Sequence, residues 1–163
     1  MSTDTVLREQ VLGLLRGGHA HMSLDEAVAD FPLDRINDRA PHVPYTPWHL
    51  LEHIRIAQED ILEFTRDPQW VSPPWPAGYW PARDEQADAA RWNATINAIR
   101  RDLEAMQALV ADTANDLTAD LPHAPGYTLL REALLVADHN AYHLGEFAIL
   151  RQVMGTWPAN RAG

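Results

Sequence analysis

The sequence predicts an all-α protein, a bundle of four long helices with a short extra helix and a long aromatic loop. Three observations carry this reading. Apolar residues recur at helical spacing in four stretches, capping residues and glycine or proline mark several of their ends, and none alternates apolar with polar residues as a half-buried strand would. With 163 residues, 46% of them hydrophobic, the chain can bury one substantial core, so a single domain over 1–163 is expected.

The first helix follows Ser2 or Thr3 as a cap and places Val6, Leu7, Val11, Leu12, Leu14 and Leu15 at apolar positions before Gly17 and Gly18 stop it. Ser23 and Glu26 form a capping box, which predicts a short second helix ahead of Pro32. Residues 33 to 46 read as a connection. Thr46 followed by Pro47 starts the next helix, because threonine caps free amides and proline at the first position gives up none that were needed; it runs to about Thr65.

The segment "RDPQWVSPPWPAGYWPAR" is too rich in proline to be a regular element. It reads either as a surface crossover packing its own rings or as a lid over a pocket. From about Asp84 to Asp112 the chain is free of Pro and Gly and carries Ala90, Ala94, Ile96, Ile99, Leu103, Met106 and Val110 at helical spacing, predicting the longest helix. A break over 121 to 126 precedes Thr128, which caps a last helix closed by Gly155.

Net charge is −10, from 23 acidic against 13 basic residues, with no Lys/Arg cluster able to track a phosphate backbone; nucleic acid is not an expected partner. The absence of cysteine removes disulfides, thiolate metal sites and cysteine nucleophiles, leaving histidine and carboxylate as the available metal ligands. "MSTDTVLREQ" does not read as a signal peptide, and no apolar run approaches the roughly 20 residues of a bilayer span. The expectation is a cytoplasmic protein without a membrane partner.

Two HxxxH pairs stand out, His49 with His53 and His139 with His143. Residues four apart on a helix lie within about 40° and about 6 Å of each other, so both imidazoles can lean toward one ion. His139 and His143 fall in an apolar stripe with Leu135, Val136, Phe147 and Leu150, and Glu132 and Glu146 share it. The other side of that helix, Leu130, Leu134, Ala137, Ala141, Leu144 and Ala148, is apolar as well, so a largely enclosed helix is expected. Buried imidazoles left unpaired cost on the order of 1 to 3 kcal/mol each. A shared cation meets that demand, and so does a proton-sharing His–Glu network.

On the earlier helix the apolar direction set by Leu50, Ile54, Ala57, Ile61 and Phe64 lies about 60° from His53 and about 100° from His49. His53 is therefore the better third ligand, with His49 at the rim. "HLLEH" also matches the inverted zinc-peptidase pattern HxxEH, but Glu52 projects about 100° from His53, away from the apolar side.

The stretches "TPWHLLEHI" and "LLREALLVADHNAYHLGEFAILRQVMGTW" resemble the DinB/YfiT-like proteins, often called metal-dependent hydrolases, over about residues 5 to 157. The resemblance implies an up-down-down-up four-helix bundle in which three histidines bind one divalent metal at one end, here His53, His139 and His143. It implies a homodimer, and relatives that use a low-molecular-weight thiol such as mycothiol or bacillithiol as transferases or isomerases. Many relatives carry Gln where this chain has Glu146, so a carboxylate here serves as fourth ligand, as base, or as an acceptor behind a ligand.

Three neutral imidazoles leave zinc or nickel with open positions for water or substrate. The leading expectation is a metal-dependent enzyme, a hydrolase or thiol transferase acting on a small molecule, with Glu146 as the catalytic carboxylate ahead of Asp138 and Glu132. Substrate contacts are expected from Tyr45, Trp48, His49 and the loop residues Trp75, Tyr79 and Trp80. The alternatives are a noncatalytic metal- or small-ligand-binding bundle, stress-related in role, and a dimeric scaffold with a metal-free His–Glu network.

Overall fold

A computed structural model describes residues 2–159. Four long helices build it: α1 (Thr3–Arg16), α3 (Pro47–Arg66), α4 (Ala89–Ala111) and α5 (Leu129–Met154), with the short α2 (Leu24–Val28) between the first two. Each opens on a side-chain cap to the amide three residues on, from Ser2, Ser23, Thr46, Asp88 and Thr128 respectively. Caps of this kind contribute about 1 kcal/mol each. Gly155 ends α5 in the left-handed conformation that a side chain would strain, at φ 64°.

Cross-helix bonds fix the directions. Arg8 near the start of α1 bonds the carbonyl of Val110 at the end of α4, while Arg16 at the end of α1 reaches Gln107, so those two run antiparallel. Trp48 reaches Thr95 and, ten residues later, Gln58 reaches the Ile99 carbonyl, so α3 and α4 run parallel. Early α3 residues (Leu50, Leu51, Ile54) share a core cluster with late α5 residues (Leu144, Phe147, Leu150), whereas Leu62 shares one with Leu129, Ala133 and Val136. The bundle is thus up-down-down-up, with α1 and α3 each packed against both α4 and α5.

Two apolar clusters fill it, one around Trp48, Trp92 and Phe147, the other around Val11, Leu62 and Met106. Each large apolar side chain buried in them contributes roughly 1.5 to 3 kcal/mol relative to exposure. A polar seam involving Gln58 and Asn140 crosses the interior, with the Asn140 amide donating to Gln58 at 2.7 Å and Gln58 donating to the Ile99 carbonyl at 2.7 Å.

Three expectations need correction. The long fourth helix begins at Ala89 rather than near Asp84, because Asp88 accepts the Arg91 amide at 2.8 Å and caps the helix there, so that with 23 residues it is shorter than α5, with 26, and not the longest helix. The break before α5 holds a small antiparallel hairpin, β1 (Asp120–Leu121) with β2 (Ala124–Thr128), in which Gly126 takes φ 86°. These strands are too short for an alternating pattern to declare them. Nor is α5 largely enclosed: Leu134, Leu135, Tyr142, Ile149 and Val153 are exposed, since its neighbours α1, α2, α3 and α4 leave an outward side uncovered. Among the described residues no helix is long and apolar enough to cross a membrane.

Candidate metal centre

His53 sits in the first half of α3, and His139 and His143 sit near the middle of α5, antiparallel to it. Their Nε2 atoms converge: His53 to His143 is 3.1 Å and His53 to His139 is 3.2 Å. The three form a group whose ligand atoms all lie within 4.8 Å of one another. They meet partway along the helices, beneath the aromatic loop, rather than at a bundle end.

The outer nitrogens are held differently. Nδ1 of His53 donates to the Tyr79 carbonyl at 2.8 Å, and Nδ1 of His143 donates to Glu146 Oε2 at 2.7 Å. A carbonyl can only accept, so the His53 proton sits on Nδ1 and Nε2 keeps its lone pair; facing an ionised carboxylate, His143 does the same. The His139 Nδ1 and the Asn140 Oδ1 are both buried without a partner in hydrogen-bond geometry.

Two lone pairs 3.1 Å apart repel unless a cation or a proton lies between them. Protonation is disfavoured. Burial lowers the His53 pKa, and burial together with the His143 and His53 rings brings His139 down to about 4. An ion bound at about 2.0 to 2.1 Å by three imidazoles, at angles between right and tetrahedral, needs nitrogens roughly 3 to 3.4 Å apart. The observed spacing and the prepared lone pairs fit a divalent metal.

The surroundings come from the loop and from the start of α3. The Trp80 indole stacks on the His53 ring at 4.0 Å with 4° between planes, and Tyr45 stacks on Trp80 at 5.4 Å. The Tyr45 hydroxyl donates to Glu146 Oε1, and burial followed by that bond raises its pKa. A groove of about 340 Å³ opens beside these residues, bounded by Tyr45 and Glu146 and otherwise apolar, with Val43, Tyr142, Ile149 and Leu150 in its wall.

Of the residues singled out in the sequence, the structure brings together His53, His139, His143, Glu146, Tyr45 and Trp80. It keeps Trp48 and His49 away, which corrects their placement in a substrate pocket. Trp48 is fully buried, points about 140° around α3 from His53, and donates to Thr95 at 3.2 Å. His49 is 3% exposed rather than at a rim, one turn before His53, with Nε2 on the Glu85 carbonyl at 2.8 Å. Glu52 faces α4, accepting from Thr95 at 2.7 Å and pairing with Arg55, so the HxxEH pattern assembles no site. Glu132 is buried against Arg131, and Asp138 is exposed.

Two contributors escaped the sequence reading. The Tyr79 backbone carbonyl has no side-chain signature. Asp60, which accepts from both Trp70 and Tyr79, did have one, since seven residues past His53 it returns to within about 20° of the same helix face.

Comparison with known proteins agrees with the architecture. A family model described as DinB superfamily matches residues 18–147, well over half of the chain. No curated protein and no solved structure matches it. The chain belongs to the DinB superfamily.

Proposed function

We propose that this protein is a metal-dependent enzyme that uses a three-histidine divalent centre, zinc or nickel, to act on a small molecule. The observation that carries the proposal is the convergence of Nε2 atoms from His53, His139 and His143, with the ring protons of His53 and His143 held on their outer nitrogens, a donor set that leaves further coordination positions open. When bound, the ion lowers the pKa of a water or thiol so that a nucleophile forms at neutral pH.

The chain's own residues prepare that chemistry. Tyr79 and Glu146 hold protons on the outer nitrogens of His53 and His143, leaving the inner nitrogens free to coordinate. Tyr45 occupies the second oxygen of Glu146, which orients the carboxylate behind His143 rather than toward an ion. Glu146 thereby acts as a positioning residue in this reading. Trp80 and the loop shield one face of His53, excluding water from that side.

The groove beside Tyr45 and Glu146 supports a substrate with an apolar portion, since its remaining wall is aliphatic or aromatic. Hydrolysis by metal-activated water and transfer of a low-molecular-weight thiol both fit the centre. A panel of activated esters, and of electrophiles presented with small thiols, with and without chelator, tests the proposal. Turnover that chelator abolishes and added metal restores is the expected result. A fully loaded protein inert across both panels favours a noncatalytic metal-binding bundle.

A further inference from the structure

We propose that Asp60 is a positioning residue for the histidine centre, clamping the aromatic loop so that Tyr79 and Trp80 fix the His53 ring. The inference rests on the metal-centre reading above, and deepens it by naming what sets one ligand's orientation.

Asp60 lies on α3 two turns beyond His53, and the residue is 9% exposed. Each of its oxygens is taken by a ring donor from the loop. Trp70 Nε1 donates to Oδ1 at 2.7 Å, and the Tyr79 hydroxyl donates to Oδ2 at 2.6 Å. Bonds to an ionised acceptor are the shorter and stronger kind. A nearly buried carboxylate is costly to desolvate, so a site that needed only to fasten a loop would be served as well by apolar contact.

What the clamp holds is specific. Tyr79 is engaged at two points, its hydroxyl on Asp60 and its carbonyl on Nδ1 of His53 at 2.8 Å. The next residue, Trp80, covers the same imidazole in parallel at 4.0 Å. On the other side of Tyr79, a side chain at Gly78 would come within 2.7 Å of Pro73, so the loop folds tightly on itself and has little slack. Releasing Asp60 therefore frees the one acceptor that keeps the His53 proton on the outer nitrogen.

The test uses the full chain, purified and stripped with chelator, in three forms besides wild type. Trp70→Phe combined with Tyr79→Phe cuts both clamp bonds while the backbone carbonyl at 79, Trp80 and all three histidines stay. Asp60→Asn is the rescue variant, because its amide can accept from Trp70 and donate to the Tyr79 hydroxyl. Tyr79→Phe alone, which cuts the bond joining Asp60 to the partner of His53, serves if the double variant does not fold. The readouts are zinc affinity by competition with a chromophoric chelator and the His53 tautomer by nitrogen-15 NMR in metal-free protein.

The double variant is expected to bind zinc about 10- to 100-fold more weakly and to show His53 in mixed tautomers, as loss of an outer partner does. Asp60→Asn should stay within about threefold of wild type and keep the Nδ1–H form. A folded double or single variant with wild-type affinity and tautomer overturns the inference and reduces the clamp to loop stability. If wild type itself takes up no zinc, the metal reading fails, and the tautomer alone still decides whether Asp60 positions His53.

Discussion

Replacing Glu146 separates the roles a carboxylate can play at this centre. Its Oε2 accepts Nδ1–H of His143 at 2.7 Å, and its side chain is 30% exposed. A bond to a charged acceptor contributes about 1.5 to 3 kcal/mol and a neutral one about 1 kcal/mol. Glu146→Gln keeps an acceptor but loses the charge, and partial exposure places the loss at the lower end, about 1 kcal/mol or roughly fivefold in metal affinity. Glu146→Ala removes the acceptor altogether, for which an outer-partner loss of about 10- to 100-fold is expected. Competition titration against a chromophoric chelator at neutral pH measures both. An alanine variant that binds as tightly as wild type refutes the idea that Glu146 sets the His143 proton. A glutamine variant that loses binding entirely shows instead that the carboxylate is a ligand.

Other perturbations probe the surroundings. His49→Ala should keep metal stoichiometry intact while lowering stability by about 1 to 3 kcal/mol, because its ring is buried on the Glu85 carbonyl and lies outside the cluster; elemental analysis with chemical denaturation reads both. Burial and its two neighbouring rings hold His139 at about 4 against an ordinary 6.5, so the unfolded chain takes the proton first. Chelator-stripped protein should therefore have its full stability above pH 6.5 and lose stability as pH falls through about 4, with His139→Asn flattening the profile in urea titrations. Arg151 is fully buried and donates to the carbonyls of Ala27, Ala29 and Thr156 while its guanidinium lies 3.8 Å from the Trp157 ring centroid. Arg151→Met should cost about 3 to 5 kcal/mol, seen as a lower Tm, with metal stoichiometry unchanged. Gly78→Ala, which drives a methyl into Pro73 and Pro74, should weaken metal binding more than it lowers Tm, and equal effects on both would count against a loop coupled to His53.

The histidine trio could be read from sequence because helical periodicity reports direction around an axis, and all three residues lie on regular helices. His53 ranked above His49 on angle alone. The same method cannot say which neighbouring segment will cover a side chain, and that is where it went astray. His49 differs from His53 by only about 40° in direction but by one turn along the helix, far enough to lie under the Glu85 segment instead of the cluster. Trp48, expected as a substrate contact, is a core residue, since the side of α3 that carries it faces α4.

The loop was harder still. Proline removes periodicity, so no wheel or strand pattern constrains residues 67 to 88, and their course is set by contacts reaching back to α3. One of those contacts was detectable: Asp60, an acid on the His53 stripe with no cation three or four residues away on it, demanded some partner. The choice between a surface crossover and a lid resolves into a crossover fastened at Asp60 that covers His53, with Trp75 left 78% exposed. For α5, apolar residues all round suggested enclosure, yet its neighbours leave an outward side open.

The most direct measurement is elemental analysis of untagged protein, taken as purified and in parallel for His143→Ala and His49→Ala. An equimolar divalent ion in wild type and His49→Ala, absent from His143→Ala, is the predicted result. A correctly folded wild type that carries no ion and takes none up from zinc or nickel buffers contradicts the proposed centre.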